Sequence, residues 1–128
     1  MAMSDAPMLL AYGMRVAGLP AMDRNGKADP YLKLSAGRDS FRTKTKKATL
    51  EASWDEQFYF GKKGRKGAIL SEDTLRVEVW DDDTIFDESV GVVSVPLADI
   101  RNPAAPTKTV ALPIIGPKGK ERGQLFMS

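Results

Sequence analysis

Apolar and polar positions alternate along most of this chain with a period of two, the repeat of strands that bury one face. The most regular run is Leu75 to Trp80, where Val77 and Val79 oppose Glu78 and Trp80. Met8 to Ala17 alternates more loosely, through Leu9, Ala11, Met14 and Val16, and stops at Gly18-Leu19-Pro20. Tyr31 to Ser35 follows Asp29-Pro30, and Asp39 to Lys47 sets Phe41, Thr43 and Thr45 against Arg42, Lys44 and Lys46. Glu56 to Phe60 places Phe58 and Phe60 on one face, and Val90 to Val95, Lys108 to Leu112 and Gly123 to Met127 complete a set of about eight. Short strands at this spacing, with turn residues between them, predict an all-β antiparallel sandwich. Only Leu97 to Arg101 reads as a brief helical turn, closed by Pro103. Gly61 to Gly67 is a basic loop, not a linker, so residues 1–128 are expected to form a single domain with its core at about 8–127. Trp54, Phe58, Phe60 and Trp80 are the expected core aromatics.

Composition narrows the chemistry. With 128 residues, 42% hydrophobic and 28% charged, the chain can bury a core without covalent staples. It has no cysteine and no histidine, which removes disulfides, thiolate metal sites, the usual zinc ligand and the usual general base. A net charge of +2 says little by itself. No apolar run approaches the ~18 residues of a membrane span, and the start MAMSDAPMLL lacks the basic and apolar regions of a signal peptide, so the expected location is cytoplasmic.

Charge becomes informative in the stretch VEVWDDDTIFDESVG, Val77 to Gly91. In an extended segment Asp81 and Asp83 share a face while Asp82 points away. Paired carboxylates repel unless a cation sits between them, and a flexible loop of oxygen ligands suits calcium better than magnesium. Asp87 and Glu88 add acids further along, and Ile85 and Phe86 place two large apolar residues at the loop tip. A second acidic loop runs from Leu19 to Tyr31, where Asp23 and Asp29 bracket a turn on Asn25-Gly26 and Met22 again sets an apolar side chain beside the acids. Pro30 holds Asp29 extended, which fixes the direction of its carboxylate. Other chemistries fit poorly. Residues 81–92 have Phe86 where an EF-hand needs glycine, and Gly61 to Gly67 lacks the Gly-Lys-Ser/Thr ending of a phosphate loop. Paired carboxylates could serve a glycosidase, but the acids sit at loop ends with no evident substrate cleft, so a binding module is expected, not an enzyme.

The order Leu-Pro-x-Met-Asp, Asp-Pro-Tyr-Leu-Lys, Trp-Asp-Glu-x-Phe-x-Phe and Val-x-Val-Trp-Asp-x-Asp closing on glycine resembles a C2 domain, the calcium- and phospholipid-binding β-sandwich of protein kinase C, synaptotagmins and phospholipases. The resemblance runs from Leu9 to about Phe126. It implies an eight-stranded antiparallel Greek-key sandwich with the calcium loops at one end, in a strand order similar to the permuted topology of novel protein kinase C and phospholipase C. By position it implies Asp23, Asp29, Asp81 and Asp83 as calcium ligands. The fifth carboxylate is Asp87 counting forward from Asp81 and Glu88 counting back from Gly91, because this loop is one residue shorter than the family's; Asp87 is favoured for its shorter side chain.

The resemblance also implies a function. Two calcium ions would turn a lipid-repelling acidic end into one that accepts phosphate oxygens of anionic phospholipid such as phosphatidylserine. Met22, Ile85 and Phe86 would then insert, and Arg24 and Lys27 would add attraction near the anionic surface. Attachment would be peripheral and reversible, as signalling or membrane trafficking requires. The basic run Arg42, Lys44, Lys46 and Lys47 reads either as a solvated sheet face or, since the family's lysine-rich strand falls here, as a phosphoinositide site. Nucleic acid is not an expected partner, because no aromatics are interleaved with these cations. The rival expectation is a protein-interaction C2 domain in which metal binding is weak or structural.

Overall fold

The computed structural model describes residues 9–22, 26–37, 39–60, 74–83, 86–97 and 109–128. Ten strands lie within them: β1 (Leu9–Ala11), β2 (Met14–Ala17), β3 (Pro30–Ala36), β4 (Asp39–Arg42), β5 (Ala52–Trp54), β6 (Phe58–Phe60), β7 (Thr74–Asp81), β8 (Glu88–Pro96), β9 (Val110–Ile115) and β10 (Glu121–Met127). Eight form one curled antiparallel sheet in the order β4-β3-β7-β8-β9-β10-β2-β5, while β1 and β6 pair separately. The sheet is thinnest between β8 and β9, which share the single register pair Val92↔Ile115. Folding over at that junction brings two layers face to face, which is the expected β-sandwich.

Alternation explains the core. On β7 the inward positions Leu75, Val77 and Val79 are buried, and on β3 Leu32 and Leu34 meet them. From the second layer Met14, Val16, Ile114, Leu125 and Met127 close the same cluster, with Trp54 and Phe60. Trp80, expected among the core aromatics, lies instead on the outward face of β7, half-buried, with Lys33 Nζ 5.0 Å from its ring centroid. Gly91 stands where the sheet is tightest. A Cβ there would lie 2.7 Å from Ile114 Cγ2 and 2.8 Å from the Ile115 carbonyl oxygen, so no larger residue fits without displacing backbone.

Two expected strands are shaped differently, and one strand lies where none was expected. The first is broken at Tyr12, whose N–H and C=O bond Ser128 at 3.0 and 2.9 Å and tie the ends of the described chain together. The short β5 pairs with β2 and carries too few residues for alternation to reveal it. The expected strand Asp39 to Lys47 ends at Arg42. Beyond it Thr43, Lys46 and Thr49 still donate to the carbonyls of Leu32, Pro30 and Ala28, but three residues of this segment advance against two of β3. Buried Thr43 is the cause: its hydroxyl accepts the Leu32 N–H at 2.9 Å and donates to the Lys44 carbonyl at 3.0 Å, replacing a regular rung. Arg42, Lys44, Lys46 and Lys47 therefore do not form one alternating strand face. Residues 98–101 of the expected helical turn and the basic loop Gly61 to Gly67 lie outside the described residues.

Candidate metal and membrane site

Strands β3 and β7 pair beside the acidic loops, and Pro30↔Asp81 is the last pair of their register. The acids of both loops therefore emerge from one rigid edge. Asp81 is fully buried there, and its Oδ1 accepts the Asp29 N–H at 2.8 Å. In return the Asp29 carbonyl accepts the Asp82 N–H at 2.9 Å. Asp29 Oδ1 accepts the N–H of Ala48 at 2.6 Å, and Ala48 is held at a positive φ of 51° that non-glycine residues rarely adopt. Asp29 thus joins three segments: its own loop, the end of β7 and the loop after β4.

Farther out, the third loop folds on Asp87. The Tyr31 hydroxyl donates to Asp87 Oδ2, and the Asp83 N–H donates to Asp87 Oδ1 at 3.0 Å. These two bonds, the Tyr31 bond being the stronger influence, hold the Asp87 carboxyl below its ordinary pKa. Tyr31 responds oppositely: burial, followed by the hydrogen bond and charge of Asp87, pushes its hydroxyl up to about 12. Asp82 stands just past the end of β7. Its Oδ2 accepts the Thr45 hydroxyl at 2.7 Å and lies 3.4 Å from Arg42 Nη2. The Arg42 guanidinium also sits 3.7 Å from the Tyr31 ring centroid. Arg42, read from the sequence as part of a solvated basic face or of a phosphoinositide site, here braces the acidic loop.

The structure brings together Asp29 with Asp81, and Asp83 with Asp87, on adjoining segments of this edge. Glu88 is exposed and begins β8, paired in register with Asp81. Asp23, Arg24 and Ile85 lie outside the described residues. Among the described residues no group of three or more acids stands close enough to enclose an ion. The donors nevertheless fit calcium in kind, being carboxylate oxygens at the mouth of loops joined by hydrogen bonds. Phe86 is 71% exposed at the tip. Met22, in contrast, is half-buried against the core, and Arg122 Nη2 lies 3.3 Å from its sulfur. Lys27 is exposed, as are Lys44, Lys46 and Lys47. The Lys44 N–H bonds Glu56 Oε2 at 2.9 Å and its carbonyl accepts the Trp54 indole N–H at 2.7 Å.

Sequence reasoning missed Tyr31, Thr45 and Asp82 as working parts of this edge. Tyr31 follows Asp29-Pro30 in the chain, so its position across from Asp87 depends on a long-range pairing that no local pattern reports.

Among the described residues, no helix is long and apolar enough to cross a membrane. The C2 domain family profile matches residues 12–112. A C2 and GRAM domain-containing protein of Arabidopsis thaliana is 42% identical over 81 residues, 62% of this chain but 7% of that protein. The chain spans a tenth or less of the length of the curated plant relatives matched here. The C2A domain of plant extended synaptotagmin 1 superposes with a TM-score of 0.75 at 23% identity, covering 95% of this chain and 91% of that one. The calcium-bound C2A and C2B domains of extended synaptotagmin 2 give 0.70 at 18% identity, over 96% of this chain and 45% of that one. With the sandwich, the acidic edge and the profile match in agreement, the chain belongs to the C2 domain family, whose members serve as membrane- and lipid-binding modules.

Proposed function

We propose that this C2 domain attaches reversibly to anionic phospholipid membranes in response to calcium, acting as a peripheral targeting module and not as an enzyme. The observation that carries this reading is the Asp29–Asp81 junction, a carboxylate-to-backbone bond of 2.8 Å that fixes two acidic loops together beside an exposed Phe86. Asp29, Asp81, Asp83 and Asp87, with Asp23 from the first loop, are the residues that would hold calcium. Asp87 is favoured over Glu88 because its carboxylate already turns inward to Tyr31 and Asp83.

Calcium, when bound, supplies positive charge and open coordination positions for lipid phosphate oxygens. The chain's own residues do the rest. The buried Asp81 and the β3–β7 pairing keep the edge rigid, so the response needs little motion of the sandwich. Phe86, with Ile85 beside it, offers apolar area worth ~1.5–3 kcal/mol per side chain if fully buried. Met22 contributes from the first loop only by leaving its contact with Arg122. Phosphatidylserine is the expected lipid. Phosphoinositide binding by Arg42, Lys44, Lys46 and Lys47 is the weaker part of the proposal, since Arg42 already faces Asp82.

A second reading has one observation in its favour. Both Asp87 oxygens are engaged within the protein, which suits acids that serve loop structure in a protein-interaction domain. Co-sedimentation with phosphatidylserine vesicles separates the two. Calcium-dependent pelleting that Asp81→Asn/Asp83→Asn abolishes supports the proposal. Pelleting indifferent to calcium and to the variant assigns binding to the basic residues instead, and no pelleting under any condition favours the second reading.

A further inference from the structure

The turn joining β9 to β10 lies at the same end of the sandwich as the acidic loops, because Val92↔Ile115 is followed by Gly116 packed against the Val90 carbonyl. Its residues are Gly116-Pro117-Lys118-Gly119-Lys120-Glu121-Arg122. The turn is rigidly built: the Gly116 N–H donates to the Lys120 carbonyl at 2.7 Å and the Gly119 N–H to the Gly116 carbonyl at 3.1 Å. Lys118 is exposed and held at φ 63°, ψ 21°, a left-handed conformation disfavoured for any residue with a Cβ. The turn itself demands this conformation, since Gly119 beside it also stands at positive φ, and it holds the Lys118 side chain out in solvent. Beside it a cleft of about 400 Å³ opens between the turn and the base of the first acidic loop, lined by Gly18, Pro20, Pro117, Lys120, Glu121, Arg122 and Gly123. Arg122 anchors this wall, reaching the Val90 carbonyl at 3.3 Å and Met22 Sδ at 3.3 Å.

From this arrangement we infer that the β9–β10 turn and its cleft form a second, calcium-independent anion site that takes a phosphate-bearing headgroup through Lys118, Lys120 and Arg122. The inference rests on the membrane reading above only for its orientation toward the lipid surface. Lys120 and Arg122 line the cleft with Glu121 as the acid among its described lining residues, and Lys118 stands exposed in the turn beside it. Charge attraction without desolvated pairing makes such a contact salt-sensitive and additive to insertion of the neighbouring loops.

The test uses vesicles of phosphatidylcholine with and without phosphatidylserine, in calcium and in chelator. Lys118→Ala/Lys120→Ala should lower affinity for the anionic vesicles on the order of tenfold in both conditions, as two cations near an anionic surface would. Lys118→Gly is the decisive variant. It should raise the melting temperature, by relieving the left-handed strain, and still weaken vesicle binding, a combination that a structural role does not give. If both variants bind like the parent while Asp81→Asn/Asp83→Asn loses binding, the site is overturned and the calcium reading stands. If the parent binds no vesicles, NMR titration with inorganic phosphate and with inositol trisphosphate decides. Shifts confined to 117–123 establish an anion site for a soluble phosphate, and no shifts there overturn it.

Discussion

Asp81 and Phe86 are separated by one short loop, yet Asp81 is 0% exposed and Phe86 is 71% exposed. The first belongs to a floor, the β3–β7 pairing with Leu32, Leu34, Val77 and Val79 beneath it. The second belongs to a rim, where Asp87 accepts from the Tyr31 hydroxyl and the Asp83 N–H. The floor aligns the acids at the cost of tolerating little change, and the rim meets solvent and can change without disturbing the sandwich. Substitutions of the apolar residues beneath the floor should therefore act on folding, and those of the acids at its edge and of the rim on binding.

That division can be broken first in the core. Leu34→Ala removes a fully buried side chain from the floor and should destabilise the domain by about 2–5 kcal/mol in urea unfolding, with calcium affinity of the remaining folded fraction unchanged. A loss of affinity in the folded protein would show that floor and rim are not separable. Gly91→Ala should cost about 1–3 kcal/mol by pressing against Ile114 and the Ile115 backbone.

Tyr31→Phe crosses the boundary, because Tyr31 is a buried floor residue whose hydroxyl reaches the rim. Its loss should reduce stability by about 0.5–1.5 kcal/mol and return the Asp87 carboxyl toward its ordinary pKa, which side-chain NMR titration would read. The signs differ for the two partners. Asp87 binds its proton less tightly when folded, so its contribution is present above pH 3.8 and is lost as pH falls through the lowered value. Tyr31 is held neutral by the fold, so its contribution is present below pH 10.0 and is lost as pH rises toward about 12. Absorbance titration should show one tyrosine ionising late in the parent.

The smallest effect on stability is expected at the tip. Phe86→Ala should leave the melting temperature nearly unchanged, within about 0.5 kcal/mol, while weakening vesicle binding. Equal loss of both would mean that Phe86 packs on the domain and is not poised to insert.

How far the sequence carried the argument differs between the two regions for the same physical reason. The floor was legible because period-two burial is a local pattern, and Val77, Val79 and the Asp-Pro-Tyr run marked it directly. What alternation missed arose from single side chains overriding the period. Thr43 replaces a backbone rung and ends β4 at Arg42, and Trp80 faces outward to Lys33. The contacts of Tyr31 with Asp87 and of Arg42 with Asp82 join residues far apart in the chain, so no local spacing encodes them. Met22 was read as an exposed apolar residue from its acidic neighbours alone, whereas it packs inward beneath Arg122.

The central claim, that the edge built on Asp29 and Asp81 holds calcium, is tested most directly by thermal unfolding in chelator and in increasing calcium. A ligand that binds only the folded state stabilises it by about 2.7 kcal/mol at a hundred times its dissociation constant. The account expects a melting temperature that climbs with calcium in the parent and stays level in Asp81→Asn/Asp83→Asn. A parent whose melting temperature ignores calcium, or a double variant that responds as the parent does, would contradict it.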